Sequence, residues 1–168
     1  MAKESSDRAF KHYFDRNAAK ALGGQIRAVH PSFDTASYVR KVTRGLEEKS
    51  FQQRVQTFAD ALTAQLPTSI PDALGILAVS LPAPLPTCDA VTDGYLQWPL
   101  GQWIADHGLV AWDESFAAMR ALTMRFSSEF AVRPFVAADP AHACARLLGY
   151  VHDPNPHVRR WCSEGSRP

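Results

Sequence analysis

Two glutamates are the groups best placed to do chemistry. Glu129 lies between Arg125 and Arg133, and Glu164 lies between Arg160 and Arg167. An ionised carboxylate can orient a water or stabilise a developing cation. Each also has a plainer account. Arg160 precedes Glu164 by one helical turn, so an exposed ion pair of about 0.3–0.5 kcal/mol would explain that pairing. A carboxylate in the first turn of a helix is favoured by the helix dipole, which would explain Glu129. Spacing alone favours the plain account for both.

Other chemistries find less support. There is no Gly-x-Ser-x-Gly elbow, phosphate-binding glycine loop or His-Glu-x-x-His pair. His12, His30, His107, His142, His152 and His157 are dispersed, and none stands at ligand spacing from a second ligand. Cys88, Cys144 and Cys162 form no Cys-x-x-Cys pair, so neither a zinc site nor a disulfide frame is expected. Trp103 and Trp161 fall on apolar stripes and read as core, whereas Trp98 and Trp112 lie near loops and are open to stacking on a ligand.

The elements that must position these residues read as helices throughout. Asn155-Pro156 is a strong helix start, followed by Val158, Trp161 and Cys162 on one face. Asp139-Pro140 opens the preceding helix, with Ala143, Cys144, Leu147, Leu148 and Val151 as its stripe. Asp7 or Asp15 can cap the first helix, which includes Phe10, Tyr13, Phe14, Leu22 and Ile26 and which Gly23-Gly24 threatens to break. Asp34 caps the next, with Phe33 stapled onto Tyr38, and Ser50 to Gln53 form a capping box. Residues 71–81 are apolar nearly all round and read as central. Asp113 is expected to cap a helix carrying Phe116, Met119 and Phe126, and one of Ser127 and Ser128 to cap the next, leaving Glu129 in its first turn. Period-2 alternation is absent beyond a few residues. The expectation is one all-α domain over 1–168: N-terminal helices in 1–81, a proline-rich loop in 82–97 and paired helices in 98–168.

Composition sets wider bounds. Hydrophobic residues make up 46% and charged residues 21%, as in globular rather than disordered chains. The formal net charge of +1 argues against a protein held on a polyanion by bulk charge alone. Lysines and arginines crowd the chain up to Arg54 and then vanish until Arg120. Beyond Lys49 every one of these cations is an arginine, whose planar fork suits phosphate or carboxylate. No membrane span or signal core is visible, and a reduced, cytoplasmic setting is expected.

The Asp-Pro and Asn-Pro turns leading into Val158-Arg159-Arg160 resemble a HEAT-type repeat. Trp98-Pro99-Leu100-Gly101, the run from Met119 to Phe135 with its Glu-Phe-Ala-Val-Arg-Pro-Phe string, and Ser163-Glu164-Gly165-Ser166-Arg167-Pro168 resemble the AlkC-type DNA alkylation repair glycosylases. Phe10 to Phe14 and Phe33 to Leu66 look like that family's N-terminal helices, so the likeness covers nearly the whole chain. It implies a right-handed α-solenoid of HEAT-like hairpins and hydrolysis of the N-glycosidic bond of cationic alkylated bases in duplex DNA, without metal or cofactor. Glu129 and Glu164 match family acidic positions and would be catalytic. Arg125, Arg133, Arg159, Arg160 and Arg167 would bind DNA. In the family the solenoid continues past the last string into repeats bearing another catalytic Asp. This chain, which ends there, is therefore expected to be weak or inactive, with Val158, Trp161 and Cys162 left uncovered for self-association or a partner. The alternative is a non-catalytic HEAT-like module that binds DNA or protein.

Overall fold

The computed structural model describes residues 12–85 and 94–167. Asp7, Phe10 and most of the proline-rich loop lie outside the described residues. Those described form nine α-helices and no strand. They are α1 (Arg16–Val29), α2 (Thr35–Thr43), α3 (Phe51–Thr63), α4 (Ile70–Ser80), α5 (Trp98–His107), α6 (Trp112–Thr123), α7 (Arg133–Ala138), α8 (Pro140–Leu148) and α9 (Pro156–Glu164). Contacts between them sort into two layers. One runs α1, α4, α6, α9, and the other runs α2, α3, α5, α7, with α8 packed on α7. Consecutive hairpins that stack in this way bury their apolar faces between the layers, as a solenoid requires.

The helix starts follow the sequence closely. Asp15, Asp34, Ser69, Asp139 and Asn155 each accept a backbone N–H in the first turn of the helix they open. Ser50 and Gln53 form the reciprocal capping box. Phe33 and Tyr38 meet with ring centroids 5.4 Å apart, fixing the angle at which the chain enters α2. The expected break at Gly23-Gly24 does not occur, and α1 is continuous. A Cβ on Gly23 would stand 2.9 Å from Thr35 Cγ2, so the missing side chain lets the start of α2 close onto α1. Packing outweighs the poor intrinsic helix propensity.

Aromatic rings link the core to the site. Phe58 touches Tyr38 and Phe14, Phe14 touches Phe51, and Phe51 reaches Trp98 at 5.0 Å. Arg54, only 1% exposed, fastens this region. It donates to the carbonyls of Phe14 at 2.9 Å and Lys49 at 3.3 Å, and its Nη2 lies 3.3 Å from Glu47 Oε2. Arg54→Met would strip both carbonyls of this donor. Urea unfolding should show a loss of about 2–3 kcal/mol, whereas Glu47→Ala, at an 89% exposed side chain, should cost under about 1 kcal/mol.

Four expectations need correction. Asp113 does not cap α6; Ala111 takes that position, and Asp113 pairs with Arg146 on α8. Glu129 is not in a first helical turn, because residues 124–132 form turns and α7 begins only at Arg133, beside Pro134. The α8 stripe is narrower than expected. Ala143 and Leu147 are buried, but Leu148 is 67% exposed and Cys144 is exposed. Val158, Trp161 and Cys162 are not left open either. They are buried, with Trp161 against Phe116 and Tyr150 at centroid distances of 6.0 Å. The apolar face of α9 is turned inward onto α6, so it offers no surface for self-association. Residues 71–81 are central in that α4 touches α1, α5 and α6, although Val79 is 71% exposed.

Candidate nucleic-acid interface

The turn between α6 and α7 holds Glu129 by serine chemistry. Ser128 is fully buried, donates its hydroxyl to Met119 O at 2.9 Å and receives Val132 N–H at its carbonyl. This closes a compact turn on the end of α6. Ser127 Oγ then donates to Glu129 Oε1 at 2.8 Å while accepting the Glu129 N–H at 3.3 Å. Two local bonds thus set the carboxylate's direction. Sequence reasoning considered these serines only as helix caps; Ser127 in fact orients the acid.

Arg160 joins the two candidate acids. Its guanidinium lies 3.6 Å from Glu129 Oε1 and 3.7 Å from Glu164 Oε1. The structure therefore brings Glu129 and Glu164, distant in sequence, to one arginine on one surface. The plainer account of Glu164, a one-turn ion pair, is also present in that geometry. Glu129 lines a cavity of about 260 Å³ together with Tyr95, Trp98, Phe126, His157 and Arg160, whereas Glu164 stands outside its lining. Phe126 and Trp98 pack at 4.9 Å, and Tyr95 and Phe126 at 5.7 Å, so the cavity that the acid lines also has an aromatic wall. Trp98 also borders a second cavity with Gln52, Gln56 and Gln102. Trp112, the other tryptophan near a loop, is stacked on His142 at 4.5 Å. His157, in the sequence only one of six dispersed histidines, lines the first cavity.

The connector's described ends are clamped to the end of α6. Arg125 Nε donates to Pro82 O at 2.6 Å and its Nη1 to Ala121 O at 2.8 Å. Leu85 N–H donates to Met124 O at 2.9 Å. On the far side of the connector, Gly94 sits directly on the backbone of Arg125; a Cβ there would be 1.8 Å from Arg125 O. Burial pushes the Arg125 guanidinium down from its ordinary value. Tyr95 follows Gly94 directly and Trp98 opens α5 one turn later, so the clamp helps to place the aromatic wall. Gln97, 3% exposed, adds a reciprocal amide pair with Gln25 of α1 at 2.8 and 3.0 Å.

The arginines expected on DNA now separate. The guanidinium of Arg125 is committed to carbonyls. Arg159 likewise donates to Asp153 O and Pro154 O at 2.8 and 2.9 Å, closing the turn before α9. Both therefore fasten backbone, Arg125 through Nε and Nη1 while also lining the cavity, and the exposed Arg159 through Nη1 alone. Arg133, Arg160 and Arg167 are exposed, and Arg133 and Arg167 have no ion pair among the described residues. Asp153, a residue the sequence did not single out, is 9% exposed. Its carboxylate takes Arg120 Nη2 at 2.5 Å and Nε at 2.6 Å, together with Asn155 N–H at 2.8 Å. This pair locks α9, and with it Arg160, onto α6. Asp153→Ala would leave Arg120 without its partner and the cap of α9 without its support. With Arg120 37% exposed and open to water, it should lower stability by about 1–2 kcal/mol in a denaturant titration, while Asp153→Glu retains part of that. Among the described residues, no His, Cys, Asp and Glu group is fit to hold a metal ion, and no helix is long and apolar enough to cross a membrane.

Comparison with known proteins places this geometry. No protein-family model matches the chain. It is 30% identical over 161 residues to the uncharacterized protein YhaZ of Bacillus subtilis, covering 94% of this chain and 42% of that protein. Its fold superposes with a TM-score of 0.81 and 30% identity on Pseudomonas fluorescens alkylpurine DNA glycosylase AlkC bound to DNA containing an abasic site analog, covering 95% of this chain and 42% of that one. The chain thus spans about two fifths of the length of each relative. Over nearly its whole extent it is an all-α structure similar in sequence and in fold to an AlkC DNA glycosylase, as its motifs imply.

Proposed function

We propose that this chain acts in DNA repair, hydrolysing the N-glycosidic bond of cationic alkylated bases such as N3-methyladenine in duplex DNA. The observation that carries this reading is the Glu129 carboxylate, fixed by Ser127 and Arg160, facing an aromatic wall in a chain similar to an alkylpurine DNA glycosylase. An alkylated purine already bears a positive charge. When the C1′–N bond breaks, the electron pair goes to the base, which leaves neutral and needs no strong general acid. The positive charge passes to the deoxyribose. Glu129 stabilises that charge and orients a water whose oxygen bonds to C1′, its proton passing to the carboxylate and then to solvent. Glu164 strengthens the negative field through the shared Arg160, and Arg133, Arg160 and Arg167 contact phosphates. Tyr95, Trp98 and Phe126 offer ring faces to the cationic base.

The test is incubation of the chain with methylated duplex DNA and measurement of released N3-methyladenine. Release above the uncatalysed background supports the proposal. No release overturns it for this chain. A second reading is a non-catalytic DNA-binding module that meets the duplex through the exposed Arg133, Arg160 and Arg167. It holds if salt-dependent duplex binding persists without release.

A further inference from the structure

A second, separate feature lies at the far end of the layer that carries Trp98. The last turns of α2 present Arg40, Lys41 and Arg44, all exposed, around a shallow depression of about 580 Å³ that Ser37 and Thr43 complete. Gly45 follows with φ of 64°, a left-handed turn that takes the chain away into the next short helix. None of the three cations has an ion pair among the described residues, in contrast to Arg54, Arg120, Arg146 and Arg160. The nearby Glu47 is directed to Arg54 instead. Two cations near a helix C-terminus would complement its dipole. That does not account for three of them with two hydroxyl-bearing side chains around one concavity.

We propose that Ser37, Arg40, Lys41, Thr43 and Arg44 form a second DNA contact, gripping the phosphodiester backbone at a distance from the lesion; this rests on the DNA-repair reading above. Charge complementarity names the occupant. Three unpaired cations beside the Ser37 hydroxyl fit successive phosphates and supply nothing that reads a base edge, while the Thr43 hydroxyl is spent on Val39 O at 2.9 Å. The layer gives the spacing. The patch is on α2, and α3 and then α5, which carries Trp98, follow it in direct contact. Two helix-to-helix steps amount to about 16–20 Å. At 3.4 Å per base pair, the patch meets the backbone about five or six base pairs to one side of the cavity.

The experiment compares the full chain with the triple variant Arg40→Ala, Lys41→Ala, Arg44→Ala on duplexes whose arm on either side of a methylated base is shortened stepwise. Wild-type affinity should fall when one particular arm drops below about five base pairs, and the triple variant should lose that step. The slope of log affinity against log salt should fall by up to about 2.7, at roughly 0.9 per phosphate contact. An Arg40→Lys, Arg44→Lys variant should keep the slope. The rate of base release at saturating DNA should be unchanged in all of them. An unaltered slope and length step in the triple variant would overturn the second contact. Absence of base release by the wild type, with the slope difference intact, would instead sink the catalytic reading and leave the patch as a DNA contact.

Discussion

Glu129→Gln is expected to slow release of N3-methyladenine under single-turnover conditions by about 10²–10³-fold, with duplex affinity changed less than threefold. The substitution keeps an oxygen for the Ser127 hydroxyl, which donates at 2.8 Å, so the turn on the end of α6 need not move. What it removes is charge. A carboxylate aimed at a cavity with aromatic walls acts where water screens poorly, and its attraction for a developing cation is correspondingly large. Ser127→Ala tests the same idea from the other side: the charge stays and its direction is lost, which should reduce the rate by about tenfold. Glu164→Gln should do less than Glu129→Gln, because Glu164 stands outside the cavity lining and acts through Arg160. Equal rates for wild type and Glu129→Gln would remove Glu129 from the chemistry. A larger loss in Glu164→Gln than in Glu129→Gln would reverse the proposed order of roles.

Local sequence chemistry carried the helices well. Asp15, Asp34, Ser50, Asp139 and Asn155 open helices where their side chains, and for the last two the following prolines, say they should, because a cap is decided within four residues. The failures share a different cause. The continuity of α1 through Gly23-Gly24 depends on α2 closing onto it, and the burial of Val158, Trp161 and Cys162 depends on where α6 lies. Neither is written in a local pattern. The site divides the same way. Glu129 and Glu164 were legible as motif positions, but their common partner Arg160 is a tertiary fact. Asp153 looked like one acid in a turn; only the fold brings Arg120 to it across 33 positions. The arginines show the limit most clearly. Spacing cannot tell which guanidiniums also hold carbonyls, as Arg125 and Arg159 do.

The clamp on the connector yields the other large effect. Gly94→Ala should reduce base release by about 10²-fold, the penalty for moving catalytic or binding groups by an ångström. A Cβ at 1.8 Å from Arg125 O cannot be accommodated by a rotamer change, since the obstacle is backbone. Residue 94 must therefore lift, which carries Tyr95, next in the chain, out of the cavity wall and pulls on the start of α5 at Trp98. Strain of this kind also lowers stability by about 1–3 kcal/mol, so the assay belongs at a temperature where denaturant titration shows the variant folded. Arg125→Met separates positioning from phosphate binding. It breaks the bonds to Pro82 O and Ala121 O and frees the other end of the connector, so release should slow. The salt dependence of duplex binding should stay at the wild-type slope, because a guanidinium committed to carbonyls releases no counterion from DNA. A slope lower by about 0.9 in Arg125→Met would show that Arg125 meets a phosphate after all. In that case its carbonyl bonds belong to the free protein alone, and DNA binding must release the connector that they hold.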